Sequence, residues 1–133
     1  MKHLGTILVV EDERIVARDL QQRLHRLGFA VPEIASSGEE AVAKAEHVRP
    51  NLVVMDINLK GSMDGIEAAR RIRDRLRIPV LFLSAFGDDD TILKARSLQP
   101  VGYLGKPFED QELYAALNKF FARAAAPETK REH

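Results

Sequence analysis

The chain has 133 residues with 20 basic and 20 acidic side chains, so its formal net charge is zero and nothing demands nucleic acid or an anionic membrane as partner. A hydrophobic content of 45% with 30% charged residues is that of one globular domain, long enough to bury a core without cross-links. The absence of cysteine excludes thiol catalysis, disulfides and thiolate metal sites and fits a reducing cytoplasm. No apolar run approaches the roughly 20 residues of a membrane-spanning helix, and the start, MKHLGTILVVEDE, turns acidic too early for a signal peptide.

In chain order, Thr6 to Val10 (TILVV) is a short β-branched run that ends in Glu11-Asp12. From Glu13 the period changes, and Val16, Leu20, Leu24 and Leu27 predict one face of a helix closed by Gly28. Phe29 to Ala35 reads as a weaker strand; Pro32, with no N–H for a ladder, puts it at a sheet edge. Ser36 to Glu40 (SSGEE) offers a helix start, a serine three residues ahead of a glutamate, and a small helix through Val42 and Ala45 ends before Pro50. Leu52 to Met55 is an unbroken apolar run, as expected of a strand buried on both faces, and it stops at Asp56. The stretch after it, Ile57 to Gly65 (INLKGSMDG), is rich in turn formers.

Ile66, Ala69, Ile72 and Leu76 mark a third helix that stops before Pro79. Val80 to Leu83 is the next buried strand and ends at Ser84-Ala85. Asp88-Asp89-Asp90 suits the positive start of a helix through Ile92, Leu93 and Leu98, whose thin apolar face predicts the least firmly docked helix. Pro100 to Leu104 gives a short fifth strand, followed by Gly105-Lys106-Pro107-Phe108. Leu113, Ala116, Leu117, Phe120 and Phe121 define the clearest helix. The expected fold is α/β: a flavodoxin-like, doubly wound, five-stranded parallel sheet of order 2-1-3-4-5 with five helices, the two weak strands lying at its edges. One domain is expected over residues 1–124, with 125–133 a short charged tail that is disordered or partly foreign to the natural protein.

In that order the acids Glu11-Asp12 end strand 1 and Asp56 ends strand 3, on either side of the switch point where open sheets bind ligands. Converging carboxylates repel one another, and a hard cation such as Mg²⁺, which prefers oxygen ligands, is the natural compensation. His3, His25, His47 and His133 are scattered and read as surface residues. Ser84, after strand 4, brings a hydroxyl and nearby backbone N–H donors; Lys106, after strand 5, brings an ammonium. Together these residues describe a site for a metal and a phosphoryl group. Asp56, alone and central, is the best placed nucleophile.

The stretches ILVVEDE (7–13), LVVMDINLKGSMDG (52–65), VLFLSA (80–85) and GYLGKPF (102–108) closely resemble the response-regulator receiver family of two-component signalling systems, over Thr6 to Ala124. The resemblance implies that Asp56 accepts a phosphoryl group from a phosphohistidine on a sensor histidine kinase or phosphotransfer protein, and that the domain assists its own phosphorylation and dephosphorylation. It implies Mg²⁺ held by Asp12, Asp56 and the backbone carbonyl of Asn58, with Glu11 assisting through water. Ser84 and Lys106 would bind the acyl phosphate, and Lys106–Pro107 would be a cis peptide. Ser84 and Tyr103 would form the switch, Tyr103 turning inward and remodelling the face of helix 4, strand 5 and helix 5 for a downstream partner. A cytoplasmic location is implied, with no direct nucleic-acid or membrane binding and with homodimerisation open.

Three departures stand out. Glu11 replaces the more frequent aspartate, Lys60-Gly61-Ser62 lengthens the loop after Asp56, and nothing after helix 5 reads as an output domain. A single-domain regulator or shuttle is therefore expected, or else a receiver cut from a hybrid kinase or multidomain regulator. A haloacid-dehalogenase-like phosphatase, the rival chemistry, would want a second aspartate where Asn58 stands. Phe86, just past Ser84, is placed to shield an acyl phosphate from water.

Overall fold

The computed structural model describes residues 4–125, with side chains through Ala122. The elements alternate: β1 (Ile7–Val10), α1 (Arg14–Arg26), β2 (Ile34–Ala35), α2 (Gly38–Val48), β3 (Leu52–Asp56), α3 (Gly65–Leu76), β4 (Val80–Ser84), α4 (Asp89–Ala95), a 3₁₀ turn (Arg96–Leu98), β5 (Gly102–Gly105) and α5 (Asp110–Ala125). The strands pair in parallel in the order β2-β1-β3-β4-β5, as expected. Alternation along each strand divides the core. Leu8, Val10, Val53, Met55 and Phe82 face α2 and α3, whereas Ile7, Val9, Val54, Leu81 and Leu83 face α1 and α5. Every residue of β1, β3 and β4 is buried, which is why those segments read as continuous apolar runs.

Several local expectations are corrected. The second strand is only Ile34–Ala35. Pairing with β1 starts earlier, at a Thr6–Ala30 bridge, and lapses around Pro32, which has no N–H to give the ladder. The face of α1 is Ala17, Leu20 and Leu24, while Val16 is 37% exposed. Counting large aliphatics overlooked Ala17, whose small side chain lets the helix settle on the sheet. The fourth helix ends at Ala95 and leaves Leu93 exposed, in keeping with its thin apolar face. The fifth strand begins at Gly102. Ala124 and Ala125, placed at the domain end and in the tail, belong to α5; the rest of that tail lies outside the described residues. His25 and His47 are exposed, and His3 and His133 lie outside the described residues.

Helix starts follow the sequence. The Ser37 hydroxyl accepts from Glu40 N–H at the head of α2, and the Asp64 carboxylate accepts from Glu67 N–H at the head of α3. Glu40 returns its carboxylate to the N–H and hydroxyl of Ser36 rather than to Ser37, a capping box displaced by one residue.

Helix α1 is fastened to the β5–α5 connection by Arg23. Its guanidinium donates to the Phe108 carbonyl at 2.7 Å and to Asp110 Oδ1 at 2.7 Å, and lies 4.8 Å from the centre of the Phe108 ring. The hydrogen bond from Arg23 holds the Asp110 carboxyl below its ordinary value. A depressed carboxyl contributes stability above its unfolded pKa and loses it as pH falls through the lower folded value. The stability difference between wild type and Arg23→Ala should therefore be largest near neutral pH and shrink below about pH 4 in urea unfolding. A difference independent of pH would assign the fastening to the ring contact and the carbonyl alone.

Candidate functional site

Strand register assembles the site like a staircase. Val10 pairs with Met55, so the next residue, Glu11, comes level with Asp56. Asp56 pairs with Leu83, which places Ser84 one step beyond it, and Ser84 pairs with Gly105, which places Lys106 one step further. The Lys106 backbone N–H donates to the Ser84 carbonyl at 2.7 Å, continuing the ladder past the strand end. Four separate chain segments thus deliver polar groups to the carboxyl edge of the sheet, where the crevice of an open α/β fold lies.

Carboxylate oxygens of Glu11, Asp12 and Asp56 all lie within 4.8 Å of one another. Glu11 is 2% exposed and Asp56 7%, whereas Asp12 is half-buried. Lys106 Nζ lies 3.4 Å from both Glu11 Oε1 and Asp56 Oδ2, so one cation answers two buried acids. Burial pushes the Glu11 carboxyl up and the Asp56 charge adds to the rise, against the Glu13 N–H bond and Lys106. Burial alone would lower Lys106; Asp56 and Glu11 together outweigh it and hold the ammonium above its ordinary value. Such an oxygen-only cluster, with more negative charge than its lysine balances, suits a hard divalent cation.

The remaining predicted residues fall around this centre. Asn58 N–H donates to Asp56 Oδ1 at 2.9 Å and fixes the carboxylate's orientation. Ser84 is buried at the end of β4. Tyr103 stacks on Phe82 at 6.1 Å and its hydroxyl donates to the Ile92 carbonyl of α4 at 3.4 Å, so the ring already rests against the core on the α4 side. The Lys106–Pro107 peptide is cis, as expected. Phe86 is fully exposed, so its ring does not cover the site. Gly65 heads α3 so close beneath the acceptor that a Cβ there would come within 2.7 Å of the Asp56 carbonyl oxygen.

One residue is not singled out by the sequence. Asp88 belongs to the mouth of the site: its carboxylate accepts from Ala85 N–H at 2.6 Å and from Asn58 Nδ2 at 2.7 and 2.8 Å. Those bonds, Ala85 first, hold its pKa below the ordinary value, and Lys106 adds to the effect. Within the run Asp88-Asp89-Asp90, sequence supports only a helix-start role for all three, and nothing distinguishes the first.

A flavodoxin-like sheet with an acid triad, a serine and a lysine at its carboxyl edge is the arrangement of a receiver-type fold. Comparison with known proteins agrees. The family described as response regulator receiver domain matches residues 7–118, and the chain belongs to it, as a receiver domain of two-component signalling. The transcriptional regulatory protein PdtaR of Mycobacterium tuberculosis is 35% identical over 117 residues, covering 88% of this chain and 57% of that protein. The alkaline phosphatase synthesis regulator PhoP of Bacillus subtilis is 37% identical, covering 93% of this chain and 52% of PhoP. The chain thus spans little more than half the length of these relatives. Among solved structures, the signal receiver domain of a modulated diguanylate cyclase from Desulfovibrio desulfuricans G20 superposes with a TM-score of 0.83 at 34% identity, covering 90% of this chain and 94% of that one. No described helix is long and apolar enough to cross a membrane.

Proposed function

We propose that this protein is a phosphorylation-dependent signalling switch in which Asp56 accepts a phosphoryl group from a phosphohistidine of a sensor kinase or phosphotransfer protein. The observation that carries the reading is Asp56 itself, set 3.4 Å from Lys106 Nζ and clustered with Glu11 and Asp12. In the transfer an Asp56 carboxylate oxygen forms a bond to phosphorus while the phosphorus–nitrogen bond breaks, and the imidazole leaves with the electron pair and takes a proton. Asn58 N–H keeps the carboxylate oriented. Lys106 follows negative charge from the carboxylate to the phosphoryl oxygens, and the Ser84 hydroxyl donates to one of them. Glu11, Asp12, Asp56 and the Asn58 backbone carbonyl would hold Mg²⁺, which when bound supplies charge against the phosphoryl oxygens.

The domain extends over residues 1–124 in this reading. Its output is a shift of the face made by α4, β5 and α5, coupled to the site through Ser84 and Tyr103. A hydrogen bond to a charged group contributes about 1.5–3 kcal/mol, and moving an equilibrium from 1:99 to 99:1 needs about 5.5 kcal/mol. The serine and lysine contacts together barely reach that figure, so the response is a population shift. In place of the second acid a dehalogenase-type phosphatase requires, Asn58 presents an amide that is tied to Asp88.

Labelling from a small phosphoryl donor, run with and without Mg²⁺ on wild type and Asp56→Asn, tests the reading. Stable Mg²⁺-dependent labelling of wild type alone is the expected result. Steady turnover of phosphate esters, or labelling that survives Asp56→Asn, would overturn it.

A further inference from the structure

We infer that Asp88 is a positioning residue that, before phosphorylation, occupies the donors an incoming phosphoryl group needs and must swing away for that group to seat. The inference rests on Asp56 being the acceptor. Asp88 sits at the head of α4, yet its carboxylate makes no capping bond to that helix. It turns back to the β4 end, where Oδ2 accepts from Ala85 N–H at 2.6 Å and both oxygens accept from the Asn58 amide at 2.7 and 2.8 Å. The Asn58 backbone N–H meanwhile sits on the acceptor, 2.9 Å from Asp56 Oδ1. The Asp88 carboxylate is therefore gripped between the two loops that flank Asp56.

Ala85 N–H is the backbone donor that directly follows the Ser84 hydroxyl at the end of β4. An N–H carries one hydrogen and cannot serve the Asp88 carboxylate and a phosphoryl oxygen at full strength together. Carboxylate and phosphoryl oxygens seek the same kind of donor and, both being anionic, oppose each other across the crevice. Asp88 thus behaves as an internal anion that fills part of the phosphoryl cradle. Its displacement frees Ala85 N–H, releases Asn58 from its tie across the mouth, and uncouples the β3–α3 loop from the head of α4. The same residue thereby links filling of the site to movement of α4.

The test is a titration of the full chain with beryllofluoride, an acyl-phosphate mimic, at saturating Mg²⁺, followed by ¹⁹F and amide NMR. Asp88→Ala should lower the half-saturating concentration about tenfold, and Asp88→Asn, which sheds the charge but keeps an acceptor for Ala85 N–H, only about threefold. Asn58→Ala, which removes the other grip, should fall between wild type and Asp88→Ala. The Ala85 amide resonance should move when the mimic binds to wild type. Weaker or unchanged binding by Asp88→Ala would reduce Asp88 to a shaper of the loop and overturn the inference. Equal gains from Asp88→Ala and Asp88→Asn would reduce its effect to charge repulsion and overturn the inference as well. Beryllofluoride that binds Asp56→Asn as tightly as wild type would instead sink the acceptor assignment, whatever the Asp88 variants do.

Discussion

Asp56→Asn should abolish phosphoryl labelling and, in the presence of a chelator, melt at a higher temperature than wild type. Two acids stand within 4.8 Å of Asp56, and one ammonium stands 3.4 Å away. At an effective dielectric constant of about 20, each acid opposes Asp56 by roughly 3–4 kcal/mol and Lys106 returns about 5, which leaves about 2 kcal/mol of net repulsion. Neutralising Asp56 relieves it, for a rise of roughly 5–10 °C. Added Mg²⁺ should shrink the gap, because a cation that binds the wild-type cluster more tightly stabilises wild type more. Calorimetry with chelator and with Mg²⁺ reads both effects. A variant less stable than wild type under chelation would mean that the lysine already balances the cluster, and the case for a divalent cation would weaken with it.

Phe82→Ala should cost about 3–5 kcal/mol in urea unfolding, the largest loss expected of any single truncation in this protein. Phe82 is fully buried in β4, between two paired strands that cannot close over a void, and it supports the Tyr103 ring. A half-open surface pocket of about 290 Å³, lined by Ala69, Arg73, Arg77, Val80, Leu98 and Gln99 among others, already adjoins it. Truncation would open the core toward that pocket and leave less neighbouring mass to relax into the space. A cost below about 1.5 kcal/mol would show that Tyr103 swings into the vacated space. Phe82→Leu, which keeps most of the volume, should lose far less.

The sheet could be read from the chain because burial on both faces suppresses polar residues. Leu52–Met55 and Val80–Leu83 are short apolar runs bounded by turn formers, the pattern of a strand buried on both faces, and Pro32 and Gly102 mark the edges. The candidate site positions were legible for a related reason: in a parallel sheet a strand ends where its apolar run ends, so Glu11, Asp56 and Ser84 announce their own places. What lay beyond reach depended on how side chains turn. The seat of α1 on Ala17 rather than Val16 is set by how closely the helix can approach the sheet, and an alanine carries little weight in a count of hydrophobic residues. Arg23 reaches across 87 positions to Asp110, a pairing that no local pattern encodes. Asp88 is the sharpest case. Of three identical neighbours, Asp88 alone is half-buried and turned onto Ala85 and Asn58, a difference that the run of identical letters does not carry.

The ladder contact from the Lys106 N–H to the Ser84 carbonyl has an evolutionary corollary. Hydroxyl and ammonium are stitched together by main-chain atoms, which are indifferent to side-chain identity. The intervening stretch from Asp89 to Pro100 supplies a short helix and a 3₁₀ turn but no strand of the sheet. Ala95 and Leu98 anchor it in the core, but most of its other side chains are exposed and can drift in sequence while the site groups keep their spacing. Different α4 surfaces can in this way be carried on one arrangement of site groups.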